Sequence, residues 1–235
     1  MNRSLLAVMV ILVTGMGVLA GVCDTEPPLV LPPATLAATA PASQEITLPP
    51  PHTDGAVSLE TCLARRRSVR SYTAQDLTWD QIGQLLWAAQ GLTAEWGGRT
   101  APSAGALYPL EVYMVTRQGV YHYVPAGHRL ITLATEDRRG ALQEVCLGQS
   151  AVGAAPAVFV VTAIYARTAS KYGDRAARYV HLEAGHATQN LLLQAVALNL
   201  GGVPIGAFDD AGIQRVLALP ADHEPLYVIP VGYPL

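Results

Sequence analysis

Arg65-Arg66-Arg67-Ser68-Val69-Arg70-Ser71-Tyr72 packs four arginines and a hydroxyl into six consecutive positions, in a chain where only 14% of residues are charged. Arginine presents a planar fork of donors that matches phosphate oxygens, and Ser68 adds a neutral donor. The chemistry such a cluster offers is the holding of an anion in one place. It also fits a plainer account, cations at the end of a short helix that face solvent and complement the helix dipole. The stretch alone leaves both open.

Four other stretches offer chemistry. In Ala101-Pro102-Ser103-Ala104-Gly105-Ala106-Leu107-Tyr108-Pro109, prolines fix the ends and small residues fill the middle. Such a loop lets a flat ring approach the backbone amides; the alternative is an ordinary turn before a strand. Lys171-Tyr172, within Ser170–Arg175, can form an acid/base pair if burial lowers the lysine, or lie on an exposed loop. Gly201-Gly202-Val203-Pro204-Ile205-Gly206-Ala207-Phe208-Asp209-Asp210 offers exposed amides, or a helix stop and turn with Asp210 capping the next helix. In Gly185–Asn190, His186, Gln189 and Asn190 share a helix face and predict a polar network against a neighbouring helix. His181 and His186 are five residues apart, roughly 500° around a helix and about 140° off a common face. They do not make a zinc pair, and no metal site is read in the chain.

These stretches need elements to position them. Leu59–Arg65 reads as a short helix delivering the arginines. Thr78-Trp79-Asp80-Gln81 is a capping-box pattern, after which Ile82, Leu85, Leu86 and Ala89 share one face until Gly91 stops the helix. Leu110–Thr116 and Gly119–Val124 flank Arg117-Gln118 as a hairpin. Ala157–Ile164 is a continuous apolar run of strand length. Arg178–Leu200 is a long helix, with Leu182, Leu193 and Val196 among its apolar positions, and Pro225–Val231 is a last strand. Helices and strands interleave without a regular βαβ repeat, which predicts an α+β sandwich with a mainly antiparallel sheet. No Gly-x-Gly-x-x-Gly follows a strand, so a dinucleotide fingerprint is absent.

Bulk properties bound the rest. The 235 residues, 51% hydrophobic, suffice for one domain with a core. A net charge of −3 calls for no nucleic acid. Cys23, Cys62 and Cys146 are too scattered for a disulfide framework and include no Cys-x-x-Cys. Residues 1–23 carry Arg3 and then no charge from Leu5 to Val22, the pattern of a signal peptide or N-terminal membrane anchor. The expected location is therefore exported or membrane-anchored, on the periplasmic or other extracytoplasmic side. Leu19-Ala20-Gly21-Val22-Cys23 is close to a lipoprotein signal, with Val22 in place of the usual small residue. Residues 24–54, rich in Pro and Ala, read as an extended tether that buries little. The folded domain is expected over 55–235.

Taken together, RRSVRSY, PSAGALYPLEVY, SKYGDRAARYVHLEAGHATQN, GAFDD and PLYVIPVG resemble, in order and spacing, the nitroreductase superfamily. The YGDR…HLEAGHATQN block resembles its SagB/ThcOx-type, azoline-oxidase-like dehydrogenases. The resemblance covers about Leu59 to Gly232. It implies a nitroreductase-like sandwich, non-covalent FMN at a homodimer interface, and hydride transfer through the flavin N5. It implies that Arg66, Arg67, Ser68 and Arg70 grip the phosphate and ribityl chain. By the same likeness Pro102, Ser103, Ala104 and Gly105 reach the flavin of the partner subunit, and Ile205, Gly206 and Ala207 lie near the N5 edge. Lys171 and Tyr172 take the position of a Lys-Tyr pair implicated in azoline oxidation. Many members extend past the last strand with a basic residue on the phosphate; here Pro234-Leu235 follow that strand, leaving the contact missing or taken over by Arg65. Azoline oxidases act in cytoplasmic peptide-modifying complexes, so the substrate and electron donor are not carried over to a domain behind an export segment. A nitro or quinone reductase, and a flavin-binding module without turnover, are the alternatives.

Overall fold

The computed structural model describes residues 44–235. The readings for 1–23, for Cys23 and for the first part of the tether lie outside the described residues. The elements are β1 (Glu45–Thr47), α1 (Leu59–Arg65), α2 (Trp79–Gln90), β2 (Leu110–Thr116), β3 (Gly119–Val124), β4 (Arg129–Ala134), α3 (Arg139–Val145), α4 (Ser150–Ala154), β5 (Ala157–Ala163), α5 (Tyr165–Tyr172), α6 (Ala176–Ala197), β6 (Gly201–Gly202), α7 (Asp210–Leu217) and β7 (Glu224–Gly232).

The seven strands form one sheet in the order β1-β4-β3-β2-β5-β7-β6, every neighbour antiparallel. Its centre is apolar on both faces, and strand alternation divides the side chains between two cores. Val112 and Met114 of β2, with Phe159 and Val161 of β5, pack with Leu85, Leu86, Val180, Ala187 and Leu191 of α2 and α6. Tyr113, Val115, Val158 and Val160 point the other way, onto Leu142, Ile213 and Leu217 of α3 and α7. A sheet covered on both faces needs apolar residues at consecutive positions, which is why β5 reads as an unbroken run.

Local chemistry sets the helix ends. Thr78 and Gln81 form the complete capping box of α2, and Ser58 accepts from the Thr61 amide at the start of α1. Several expectations are corrected. The domain begins upstream of Gly55, because β1 pairs with β4 and Leu48 is buried in the core. Leu182 is exposed rather than a core position of α6. Lys171-Tyr172 ends helix α5 instead of lying in a loop. Asp209, not Asp210, precedes α7 at the cap position, and its side chain makes no capping hydrogen bond.

Candidate functional site

The arginine segment is stitched onto the sheet. The Val69 amide donates to Gly202 O at 3.1 Å, and Ser68 bridges Gly202. The Tyr72 hydroxyl contacts the carbonyls of Val69 and Pro230 at 2.5 and 3.1 Å. Burial pushes the Tyr72 phenol up, outweighing the nearby Arg70 charge, so it stays a donor at neutral pH. Glycine is required at the stitch: a Cβ on Gly201 would stand 2.5 Å from Val69 Cγ2.

Arg65, Arg66 and Arg67 line a cavity of about 240 Å³ with Asn199, Gly201 and Gly202. Neither these three nor Arg70 has a carboxylate within ion-pair distance among the described residues. Arg67 Nη1 donates to the carbonyls of Ala64 and Arg66 at 3.0 and 2.8 Å. The plainer account of cations serving a helix end therefore describes part of what Arg67 does. Ser68 and Arg70 stand outside the cavity wall, and Arg65 joins it. Guanidinium groups lacking a counter-ion, set around a cavity beside glycine backbone, are a donor set that fits a phosphate.

The loop 101–109 is held from several sides. Backbone φ is positive at Gly105, Ala106 and Tyr108, a conformation that persists in non-glycine residues only under strong constraint. The Tyr108 amide donates to Ser103 Oγ at 2.9 Å, and the Arg99 amide to the Tyr108 hydroxyl at 3.2 Å. The Arg99 guanidinium lies over the Tyr108 ring at 4.6 Å, and Arg167 Nη1 donates to the Tyr108 carbonyl at 3.0 Å. Arg167 also pairs with Glu111 Oε1 at 2.6 Å, while the other carboxylate oxygen lies 2.7 Å from His122 Nε2. Burial pushes the Glu111 carboxyl up, but His122 and Arg167 more than offset it and hold the group below the usual carboxylate range.

Lys171 and Tyr172 meet this loop. A Cβ on Gly105 would lie 2.9 Å from the Tyr172 hydroxyl and 3.1 Å from Lys171 Nζ. Lys171 is exposed rather than buried, and Tyr172 is half-buried with its ring 4.9 Å from that of Tyr179. Pro102 is exposed, and Ser103 and Ala104 are half-buried.

Ile205 departs from its expected place. Its side chain belongs to the second core, and its amide and carbonyl both pair with Val228 at 2.8 and 2.9 Å. It anchors the loop and offers a ligand nothing. Gly206 and Ala207 are exposed. The Ala207 carbonyl accepts from Gln149 at 3.0 Å, and Gly206 lines a second cavity of about 230 Å³ with His181 and Ala184 of α6. On α6 the expected polar network is also corrected: His186 and Gln189 face outward, and only Asn190 finds a partner, the Thr100 carbonyl at 3.3 Å.

Sequence reasoning missed Glu183. It is 3% exposed on the apolar face of α6, with Oε1 lacking a partner. Burial pushes its carboxyl up to about 7, against a hydrogen bond from Ser103 and the Arg99 charge. The signal was present: one charged residue beside Ala184, Ala187 and Leu191 at core spacing. A larger cavity, about 610 Å³, lies elsewhere, between α1, α2 and α6, with Cys62, Trp87 and Leu193 in its walls. None of the expected site residues lines it.

The family model described as the nitroreductase family matches residues 63–233. A nitroreductase-type protein of Methanocaldococcus jannaschii is 42% identical over 182 residues, covering 75% of this chain and 91% of its own length. The microcin B17-processing protein of Escherichia coli is 27% identical over 52% of this chain and 48% of its own. The NADPH-flavin oxidoreductase of Vibrio harveyi is 26% identical over 75% of this chain and 65% of its own. A solved structure of a nitroreductase-type protein from Ralstonia eutropha matches with a TM-score of 0.75 at 30% identity, covering 84% of this chain and 93% of that one.

Proposed function

The chain belongs to the nitroreductase family, and we propose that it is an FMN-dependent oxidoreductase of the SagB/ThcOx type, acting on a small or peptide-derived substrate. The observation that carries the cofactor is the cavity walled by Arg65, Arg66 and Arg67 beside Gly201 and Gly202, whose cations have no carboxylate partner among the described residues. Bound FMN supplies hydride exchange at its ring N5. Arg65, Arg66 and Arg67 would hold the phosphate, Gly206 would present its amide to the ring edge, and Ser103 to Gly105 would give the ring a flat backbone surface. Lys171 Nζ or the Tyr172 hydroxyl would hold or accept the proton of the substrate. Likeness to the microcin B17-processing protein and the SKYGD block support this branch.

The first test is the absorption spectrum of the purified protein, followed by identification of the cofactor released on denaturation. Flavin bands and released FMN are expected. A colourless protein that takes up no added FMN would overturn the reading. Lys171→Ala then separates enzyme from flavin-binding module: retained flavin with lost turnover is the enzyme outcome.

A second reading, quinone or nitro reduction with a nicotinamide donor, is favoured by the likeness to the Vibrio NADPH-flavin oxidoreductase. Anaerobic mixing with NADPH decides it, since bleaching of the bound flavin is required.

The homodimer belongs to the same proposal. Leu59 and Leu63 of α1 are exposed beside the 610 Å³ cavity, and this is the face we assign to a second copy. A stable, flavin-loaded monomer in light scattering would overturn it. Export or anchoring through residues 1–23 is also proposed, on the uncharged run Leu5–Val22; protection from protease added to spheroplasts, whose outer barrier has been removed, would refute it.

A further inference from the structure

Glu183 has no part in the chemistry assigned above, yet it meets the loop 101–109. It is buried on the apolar face of α6, and its Oε1 finds no partner among the described residues. A carboxyl in such a place costs stability that a neutral side chain of the same shape does not. The Ser103 hydroxyl donates to this carboxyl. The same Oγ accepts from the Tyr108 amide at 2.9 Å, so one serine oxygen ties α6 to the far end of the loop. Within that span φ is positive at Gly105, Ala106 and Tyr108, and the Ala106 amide donates to the Ser103 carbonyl at 3.1 Å. Backbone of this kind persists only where its surroundings over-determine it. Arg99 adds a second brace: its amide donates to the Tyr108 hydroxyl, its guanidinium covers the Tyr108 ring, and its Nη1 donates to Gln90 Oε1 at 2.8 Å.

We propose that Glu183 is a positioning residue: through the Ser103 hydroxyl it fixes the 101–109 loop in the shape that sets Gly105 against Lys171 and Tyr172. A serine hydroxyl has one proton. Donated to the Glu183 carboxylate, it leaves the Oγ lone pairs for the Tyr108 amide. Once Glu183 is protonated, its own O–H donates to Ser103 Oγ, and the serine proton must turn to another acceptor. The ionised carboxyl is therefore the form that holds the loop. Burial pushes the carboxyl up to about 7, against the Ser103 hydrogen bond and the Arg99 charge, so both forms occur in the neutral range. Arg99 is the charged group acting on Glu183, and Arg99 itself feels Glu111 of β2, Tyr108 of the loop and Arg167 of α5. Lys171 and Tyr172 of α5 meet the loop at Gly105.

This inference rests on the flavin reading only for what the loop serves, and its first readout needs neither cofactor nor turnover. The Glu183 carboxyl carbon and the Gly105 and Tyr108 amides are followed by NMR on the full chain, from about pH 5 to about pH 9. In the wild type the amide signals are expected to move with the carboxyl, at a midpoint of about 7. In Ser103→Ala the carboxyl should still titrate while the amides lose most of that movement. Amides that ignore the carboxyl in the wild type, or follow it equally in Ser103→Ala, overturn the proposal. The second readout is single-turnover reoxidation of the photoreduced flavin by p-benzoquinone. At about pH 8 Glu183→Gln should be about tenfold slower than the wild type; at about pH 5, where the parent carboxyl is itself neutral, the two should match. Because Glu183→Gln gains stability at the higher pH, rate and stability move in opposite directions, which plain loss of structure does not produce. Equal rates at both pH values, or a difference independent of pH, overturn the proposal. If Glu183→Gln does not fold, the NMR comparison of wild type and Ser103→Ala decides. A chain that takes up no FMN refutes the cofactor reading, and the same NMR comparison still decides this one.

Discussion

Gly105 lies directly against the end of Tyr172: a methyl group on its Cα would stand 2.9 Å from the phenolic oxygen. Two stretches some 65 residues apart in sequence are joined here, and the loop's backbone takes a shape that only glycine adopts freely, φ +62°.

Gly105→Ala is therefore expected to act twice. The left-handed backbone costs about 1–2 kcal/mol with a Cβ present, and Tyr172 and Lys171 must swing away. Because both are flexible side-chain ends, the fold survives. The expected result is a small loss in Tm with a larger loss in turnover, read by calorimetry and steady-state kinetics on one sample. Unchanged turnover would separate the loop from the chemistry.

Arg66→Gln should weaken FMN binding about 10–100-fold, the range of one charge-assisted hydrogen bond. Riboflavin, which lacks the phosphate, should bind the variant and the parent alike. Arg67→Gln should have the smaller effect, since Arg67 already donates to Ala64 and Arg66 carbonyls. Flavin fluorescence titrations check all three.

Glu183 predicts a pH signature. Its carboxyl is raised in the folded protein to about 7, from an ordinary 4.5. The folded state then binds more protons than the unfolded one between these values, so the contribution is fully present below 4.5, falls as pH rises to about 7, and is flat above. Glu183→Gln removes the slope. Urea midpoints at about pH 5 and about pH 8 should show the variant gaining relative to the parent at the higher pH. A difference independent of pH would refute it.

Glu111→Gln leaves Arg167 without its 2.6 Å carboxylate and removes the charge opposite His122. A cost of about 1–3 kcal/mol is expected, a Tm loss of several degrees. Arg167 also holds the Tyr108 carbonyl, so amide exchange should quicken in the 101–109 loop before it does in β2. Uniform quickening would point to plain destabilisation instead.

Much of the fold was legible because local physics decides it. The Thr78/Gln81 capping box, the hairpin around Arg117-Gln118 and the apolar run of β5 carry their structure in period and capping chemistry. The edge strand Glu45–Thr47 was not legible: three residues among prolines have no period of their own and are strand only because β4 offers free backbone groups.

The sequence by itself determined which chemistries were available: a dense arginine cluster, a loop of small residues between prolines, a Lys-Tyr pair, and a resemblance to the nitroreductase superfamily that the family model and the 42% identical relative bear out. Only the tertiary structure decided which of them meet. It set Gly105 against Lys171 and Tyr172, placed Arg65 rather than Arg70 in the cavity wall, and turned Ile205 into an anchor. It also brought His181 to Gly206 and left Glu183 buried. Residue type and periodicity report which face of an element is buried. Contacts between distant segments depend on sheet order and on which backbone groups are already taken, and no local window of sequence carries that information.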